Sequence, residues 1–534
     1  MNSAPPVEMS TLRPADATLP PTSLQAHDYQ WRQANAIDLP RSWVRTAVGA
    51  EAWLGLRESL SRGQYTSYIS TTLRIQSTGT SLAYLEYRFA RALIHLRFHH
   101  PELACRVVRL PAYDYPGCPP EVAYTIARDA NSISNWATGT IHRAVAHHNG
   151  LEHTSVITKD SKKNSLPLSS VKILVPENRQ SQATELAVGT CVDVVFAFHP
   201  VLWDGVSSRV FVGDLLRCAG ELWSEGAPKL NAFQQYDWGT ETDNLIGSIL
   251  DACRADISTI GSDFTRKRDE CNRMLHEGAS GWGVPINDTE GDPRTIRRSL
   301  TIDQSKAVKQ VVKQHLGPDY TPTHLGHAAM ILALLHLNPK PSDFPSSAAV
   351  VSPLLVNGRR YLKGKDNDRR YGSCLATAFV DFAPLCQQVV DEGDKEAVKV
   401  SLKKLCRHIK EAYSKFLADD FQLAIDQDRW DKLASETESE PSPFPTTSFP
   451  VFVSDGVVDK YLPDSICNKA GKQMMTIEKC LFHLDTYDSD VMVRMESWRE
   501  ATTISVSFNT GKLDFNIAQQ FLGEMASFML KILP

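Results

Sequence analysis

Histidine is the side chain most able to exchange a proton near neutral pH, and one histidine of this chain sits in a setting suited to that task. The run Val194-Val195-Phe196-Ala197-Phe198-His199-Pro200-Val201-Leu202-Trp203-Asp204-Gly205-Val206-Ser207-Ser208 reads as an apolar strand, a short turn and the start of a helix whose face carries Phe211, Leu215, Ala219 and Leu222. A strand end is rigid and yet lies at a mouth. His199 is thus placed to act as general base toward a bound hydroxyl. Local physics leaves a second account open, in which His199 is a satisfied core residue and Asp204 only the N-cap of the following helix.

The elements that would position such a site alternate between helical and strand periods, which points to a mixed α/β architecture. Leu82, Leu85, Phe89, Leu93 and Leu96 recur at helical spacing after Ser81, and Val398, Leu402, Leu405, Ile409, Tyr413 and Phe416 do so again. Cys191 to Phe198, Ala348 to Val356 and Thr503 to Phe508 read as strands. Thr158 to Glu185, Trp238 to Asn287 and Ala434 to Thr447 read as connections, the middle one partly helical and close to the half-way point. The expected division is a flexible N-terminal arm over 1–25, a first lobe over 26–225, a crossover over 226–294 and a second lobe over 295–534.

Composition narrows the function. The chain has 534 residues, 42% hydrophobic and 22% charged, with a net charge of -5, which excludes disorder throughout and argues against an electrostatic nucleic-acid binder. No apolar run approaches the ~18 residues that span a bilayer, and Met1 to Ser23 holds five prolines without the regions of a secretory signal. A soluble protein without a membrane span is expected. The 11 cysteines form no Cys-x-x-Cys pair, so reduced thiols in the cytoplasm are the simplest reading. No dinucleotide fingerprint or phosphate loop is present.

The His199 segment resembles the His-x-x-x-Asp-Gly signature of the acyl-CoA-dependent acyltransferases and nonribosomal-peptide condensation domains, with one difference: four residues, Pro200 to Trp203, stand where the common pattern has three. His99-His100-Pro101-Glu102-Leu103 resembles the end of that superfamily's early helix. Val356-Asn357-Gly358-Arg359-Arg360-Tyr361-Leu362 is similar to its Asp-Gly-Arg-x-Arg-Leu segment, and Tyr371-Gly372-Ser373-Cys374 falls at its Tyr-Phe-Gly-Asn element. The Asp-Phe-Gly-Trp-Gly motif of the plant enzymes is absent. In its place, Ser448-Phe449-Pro450-Val451-Phe452-Val453-Ser454-Asp455-Gly456-Val457-Val458 resembles fungal secondary-metabolite acetyltransferases, most closely the trichothecene 15-O-acetyltransferases.

The resemblance implies two chloramphenicol-acetyltransferase-like lobes, each a mixed sheet covered by helices, with a channel between them. It implies O-acetyl transfer from acetyl-CoA, a co-substrate and not a tightly bound cofactor, to a hydroxyl of a lipophilic secondary metabolite, with the trichothecene C-15 hydroxyl as the sharpest version. His199 is then the base, Asp204 with Gly205 and Arg359 the structural support, and Arg359 the partner of Asp204, a role for which its planar guanidinium suits it better than Lys. The Ser454-Asp455-Gly456 turn could offer an oxyanion or substrate contact through Ser454; an ordinary turn is the alternative. Arg359 and Arg360 as a solvated turn pair is likewise open. Neither metal nor covalent intermediate is expected, and the protein is expected to be a monomer. A carrier-protein-dependent condensation-like enzyme and a non-catalytic binding protein of the same fold are the alternatives.

Other constellations fit blander roles. His324-x-x-His327 belongs to an apolar stretch, so a core helix is expected; His142 with His147-His148, and Asp485, Asp488 and Asp490, read as solvated surface. Cys191 shares the strand of His199 at a distance, and Ser207 and Ser208 lack a nucleophile elbow and fit a first helical turn.

Overall fold

The computed structural model describes residues 29–34, 39–61, 63–108, 119–145, 171–177, 184–223, 236–255, 261–278, 282–339, 350–364, 367–382, 394–436 and 445–534. Local sequence accounts for the main helices. Leu82–His99 starts where the Ser81 side chain accepts from Tyr84 N–H, buries Leu85, Phe89, Leu93 and Leu96, and ends before Pro101, which opens a short 3-10 turn. Lys395–Leu417 is capped by Asp394 and buries Val398, Leu402, Leu405, Ile409, Tyr413 and Phe416, while Lys404 and Lys415 stay exposed.

Two six-stranded mixed sheets dominate. The first has the order Ser465–Cys467, Gln473–Leu484, Ser67–Ile75, Cys191–Phe198, Val171–Glu177, Ile141–Val145, antiparallel except for its last pair. The second has the order Pro293–Ser299, Ala501–Asn509, Met492–Trp498, Val451–Val457, Val351–Asn357, Leu375–Asp381, with parallel pairing on both sides of Val451–Val457. One core packs the first sheet against Leu82–His99 and Gly205–Glu221, and another packs the second against Pro322–Leu337, Lys395–Leu417 and Phe515–Lys531. A four-stranded sheet (Arg32–Gln33, Ser42–Thr46, Glu121–Thr125, Arg106–Val108) and a two-stranded one (Thr447–Ser448 with Val284–Pro285) complete the architecture.

Two features differ from, or go beyond, the sequence reading. Val171–Glu177, inside a stretch read as a connection, is a strand paired with both Cys191–Phe198 and Ile141–Val145; its short Val-Lys-Ile-Leu-Val run is masked by polar flanks. The first sheet also takes two strands from residues 465–484, far along the chain. The proposed arm over 1–25 lies outside the described residues.

The helix Gly205–Glu221 is seated by its glycines. A Cβ at Gly213 would run into the Tyr461 carbonyl, and one at Gly220 would lie 2.5 Å from the Ile466 side chain. Gly213→Ala should therefore destabilise the protein by about 1–3 kcal/mol, the usual scale of overpacking, read as a lowered urea midpoint. Gly139→Ala, where a Cβ meets nothing within 4 Å, is the control and should leave that midpoint unchanged or slightly raised.

Candidate active site

Strand Cys191–Phe198 ends one residue before His199, and the chain then turns tightly: the His199 carbonyl accepts from the N–H groups of Leu202 and Trp203, both at 3.1 Å. Asp204 caps the helix that follows. Its Oδ1 accepts from Val206 N–H (3.0 Å) and Ser207 N–H (2.7 Å), while Ser207 Oγ accepts from Asp204 N–H, completing a capping box. The fourth residue of the turn is absorbed by burying Trp203, 3% exposed, among Phe198, Phe211 and Tyr371. Ser207 and Ser208 both lie in the first turn, their hydroxyls bonded to the Asp204 carbonyl.

Asp204 and Arg359 meet. Arg359, 1% exposed, stands in the short 3-10 turn Gly358–Tyr361 after strand Val351–Asn357 of the second sheet. Its Nη1 and Nη2 donate to Asp204 Oδ2 and Oδ1 at 2.8 and 3.2 Å, a two-pronged pair. Its other donors reach the Arg370 and Gly372 carbonyls and Asn357 Oδ1. Cys374 N–H supplies Asp204 Oδ2 with a further bond at 2.8 Å. Burial pushes the Asp204 carboxyl up, but Arg359 and the backbone donors outweigh it and hold the group below its ordinary range. Arg360 is exposed.

Three motif segments converge here. The ring of His100 stacks on Tyr371 at 4.2 Å, Tyr371 packs on Trp203, and its hydroxyl donates to Asp214 in the helix after Asp204. The contributions of Gly372 and Cys374 are made by backbone groups, which side-chain reasoning had no means of finding.

His199 itself is 4% exposed, and burial pushes its imidazole down to about 4. The ring is therefore neutral around pH 7. Its Nδ1 accepts from Val201 N–H at 3.2 Å, which puts the ring hydrogen on Nε2 in this arrangement. No carboxylate among the described residues contacts it. What the site offers chemically is an uncharged imidazole on a rigid strand end, in a loop locked by a buried ion pair.

Gly205 is hemmed in by a second charge network. Arg209 donates to Asp455 and Glu496 at 2.8 and 2.5 Å, and Arg494 to Asp455 at 2.5 Å. A Cβ on Gly205 would lie 3.1 to 3.4 Å from the side-chain ends of Arg209, Arg494 and Asp455, so a larger residue would press on this network. Ser454, Asp455 and Gly456 are not the turn that the sequence suggested. They lie inside strand Val451–Val457 at a bulge between Ser454 and Gly456, with Gly456 at φ +68°; the backbone irregularity that a Ser-Asp-Gly run favours appears as a bulge. Ser454 Oγ pairs with Thr323 Oγ1 at 2.8 Å, and no described contact joins it to His199. Asp455, to which sequence reasoning gave no role of its own, is the buried anion that Arg209 and Arg494 share.

His327 is a core residue, bonded to Tyr413 and Ser352 and stacked on Phe452. Asp485, Asp488 and Asp490 are not solvated surface: Asp485 bonds Tyr68 and His483, Asp488 bonds Arg57 and Gln64, and Asp490 bonds Tyr65. Each aspartate has a partner remote in sequence. His147 and His148 lie outside the described residues, and His142 is half-buried. Among the described residues no group of three His, Cys, Asp or Glu side chains is arranged to hold a metal, and no helix is long and apolar enough to cross a membrane.

Comparison with known proteins gives a consistent picture. Residues 19–429 match the family described as 15-O-acetyltransferase Tri3. The trichothecene O-acetyltransferase TRI3 of Trichoderma arundinaceum is 32% identical over 96% of this chain and 98% of its own length. The trichothecene 15-O-acetyltransferase TRI3 of Fusarium sporotrichioides is 30% identical over 94% and 96%. A solved structure of the Fusarium sporotrichioides enzyme superposes with a TM-score of 0.88 at 28% identity, covering 97% of this chain and all of that one. The first condensation domain of the CDA synthetase shares the fold alone, at TM-score 0.56 and 11% identity over 91% of this chain and 95% of that domain.

Two outcomes follow from the electrostatics. Asp204→Asn leaves the Arg359 charge buried without its counter-ion and should cost about 3–5 kcal/mol, measured as a fall in the urea midpoint; an unchanged midpoint would remove the pair from its structural role. Acid should act through the buried histidines: His199 and His327 are held down to about 4 and about 3 by burial, whereas unfolded histidine titrates near ~6.5. The unfolded chain thus binds more protons between those values, so their contribution is intact above pH ~6.5 and stability declines as pH falls toward 4. Melting temperatures across pH 7 to 4.5 check this, and a flat profile would contradict it.

Proposed function

Given that the chain belongs to the 15-O-acetyltransferase Tri3 family, we propose that it transfers the acetyl group of acetyl-CoA to the C-15 hydroxyl of a trichothecene, with His199 as general base. The chain is an O-acetyltransferase, and the names of its relatives support a trichothecene acceptor. The observation that carries the His199 role is its setting, a neutral imidazole at a strand end in a loop fixed by Asp204 and Arg359.

In the proposed reaction the acceptor oxygen attacks the thioester carbonyl carbon while its proton passes to the imidazole. The tetrahedral intermediate then expels CoA as the C–S bond breaks, and the imidazolium returns the proton to the thiolate. No bond to the protein forms. With the ring hydrogen on Nε2 the accepting nitrogen is Nδ1, so the acceptor hydroxyl takes the place of the long Val201 N–H contact there. Asp204, Gly205 and Arg359 act through the loop, and Ser454, beside Thr323, is retained as a candidate contact to substrate or oxyanion. The thioester is already activated, so alignment and charge stabilisation suffice without a metal. The same reading has the protein work as a monomer in the cytoplasm.

The test is release of free thiol from acetyl-CoA with and without a 15-hydroxy trichothecene. Native protein should show acceptor-dependent release and His199→Ala a kcat lower by about 10²–10⁴-fold, with an unchanged melting profile at pH 7. Full turnover by that variant would remove His199 from the chemistry.

A further inference from the structure

The first sheet has a face turned away from its helices. Phe196 and Phe198 pack into the helical core, whereas Val195 and Ala197 join Tyr68 and Leu174 in a separate small cluster. Side chains alternate along a strand, so His199 continues the Val195 and Ala197 face. In register, Ala197 lies opposite Tyr68 and Tyr68 opposite His483. The pairing runs on past the strand ends through Asp485 N–H to the Thr66 carbonyl and Tyr65 N–H to the Asp485 carbonyl, placing Thr66 beside Asp485 in the next row; carrying the Ser67–Phe198 register one step further brings His199 to its other side.

These residues are polar, buried and mutually oriented. Asp485, 1% exposed, takes a bond from Tyr68 Oη at 3.0 Å and pairs with His483 Nε2 at 3.0 Å. An ionised carboxylate only accepts, so Nε2 carries the hydrogen, and Nδ1 is the nitrogen that His483 has left to offer. It has no partner among the described residues. Thr66 Oγ1, in a residue 2% exposed, also has none. Burying a hydroxyl without a partner is costly, so the Thr66 hydroxyl is left with an unmet bond on the face that also carries the unpaired His483 Nδ1.

Resting on the acetyl-transfer reading above, we propose that His483 Nδ1 and Thr66 Oγ1 bind a second hydroxyl of the acceptor, so that the enzyme selects a diol and not a mono-alcohol. Tyr68 and Asp485 orient His483 and do not themselves touch substrate. By register His199 and His483 stand two strand spacings across and two residues along the sheet from one another, roughly 12 Å, a span that a rigid polycyclic alcohol can bridge while its reacting hydroxyl meets His199. Neither group takes part in the chemical step.

His483→Gln tests this, since the glutamine amide can keep the bond to Asp485 while the Nδ1 position is lost; Thr66→Val, which keeps the branched shape, is the second variant. Calorimetric binding without acetyl-CoA would compare a trichothecene diol that includes the C-15 hydroxyl with the corresponding 15-mono-alcohol. The expected result is a diol Kd weakened about tenfold in each variant, a mono-alcohol Kd unchanged, and melting temperatures equal to native. Turnover should show a raised KM for the diol with kcat within about twofold. A diol Kd equal to native, equal losses for both alcohols, failure of native protein to prefer the diol, or a kcat loss as deep as that of His199→Ala would each overturn the proposal. Because binding is read without turnover, inactivity of native protein with acetyl-CoA would count against the acetyl-transfer reading separately.

Discussion

The site depends on one buried ion pair. Asp204 belongs to the helix that follows the His199 turn, and Arg359 to the turn after a strand of the second sheet, so their two-pronged contact joins the two halves of the molecule at the loop that carries the histidine. Desolvating both charges is expensive, and the cost is offset only when the remaining lone pairs and hydrogens are satisfied. They are: Asp204 accepts from three backbone N–H groups besides Arg359, and Arg359 donates to two carbonyls and an asparagine. A single guanidinium thereby fixes the positions of 357, 370 and 372 relative to the helix start.

The second network performs a related task on the other side of Gly205. Arg209, Asp455, Arg494 and Glu496 are drawn from a helix packed on the first sheet and two strands of the second, and Phe482 lies under the guanidinium groups of Arg209 and Arg494 at 4.8 and 3.9 Å. Buried networks of this sort specify one arrangement more than they add stability. The helix start is thus held between two sets of charges, while the histidine between strand and helix touches neither.

What was legible in the sequence follows from how local each feature is. His199, Asp204 and Gly205 lie within one strand, turn and helix, so periodicity and capping chemistry sufficed to place them, and Ser81 and Asp394 announced their helices in the same way. The resemblance supplied Arg359 as the partner of Asp204, across a separation of 155 residues that no local pattern spans. Val171–Glu177 was hidden because a short central strand carries little periodic signal between polar flanks. Asp485 and Asp455 were misjudged or missed for a common reason: a carboxylate looks solvated in sequence until the strands that bury it are assembled around it.

As the proposed base, an uncharged histidine without a carboxylate partner is unusual, since general-base catalysis favours a pKa near the working pH, and burial holds His199 down to about 4. A carboxylate beside it would raise that value, and with it the population of resting imidazolium that can accept nothing. The site withholds such a partner and commits its nearby anion to Arg359. A positive imidazolium is then disfavoured in the resting protein and, in the proposed reaction, becomes favourable only when negative charge grows beside it, on the attacking oxygen and the thioester carbonyl. That differential is what accelerates a reaction, because stabilisation present equally in the ground state contributes nothing to kcat. In the proposed reaction the buried imidazole and the fully satisfied ion pair are therefore two parts of one arrangement: the first makes charge on His199 conditional on the transition state, and the second keeps the neighbouring aspartate from cancelling that condition.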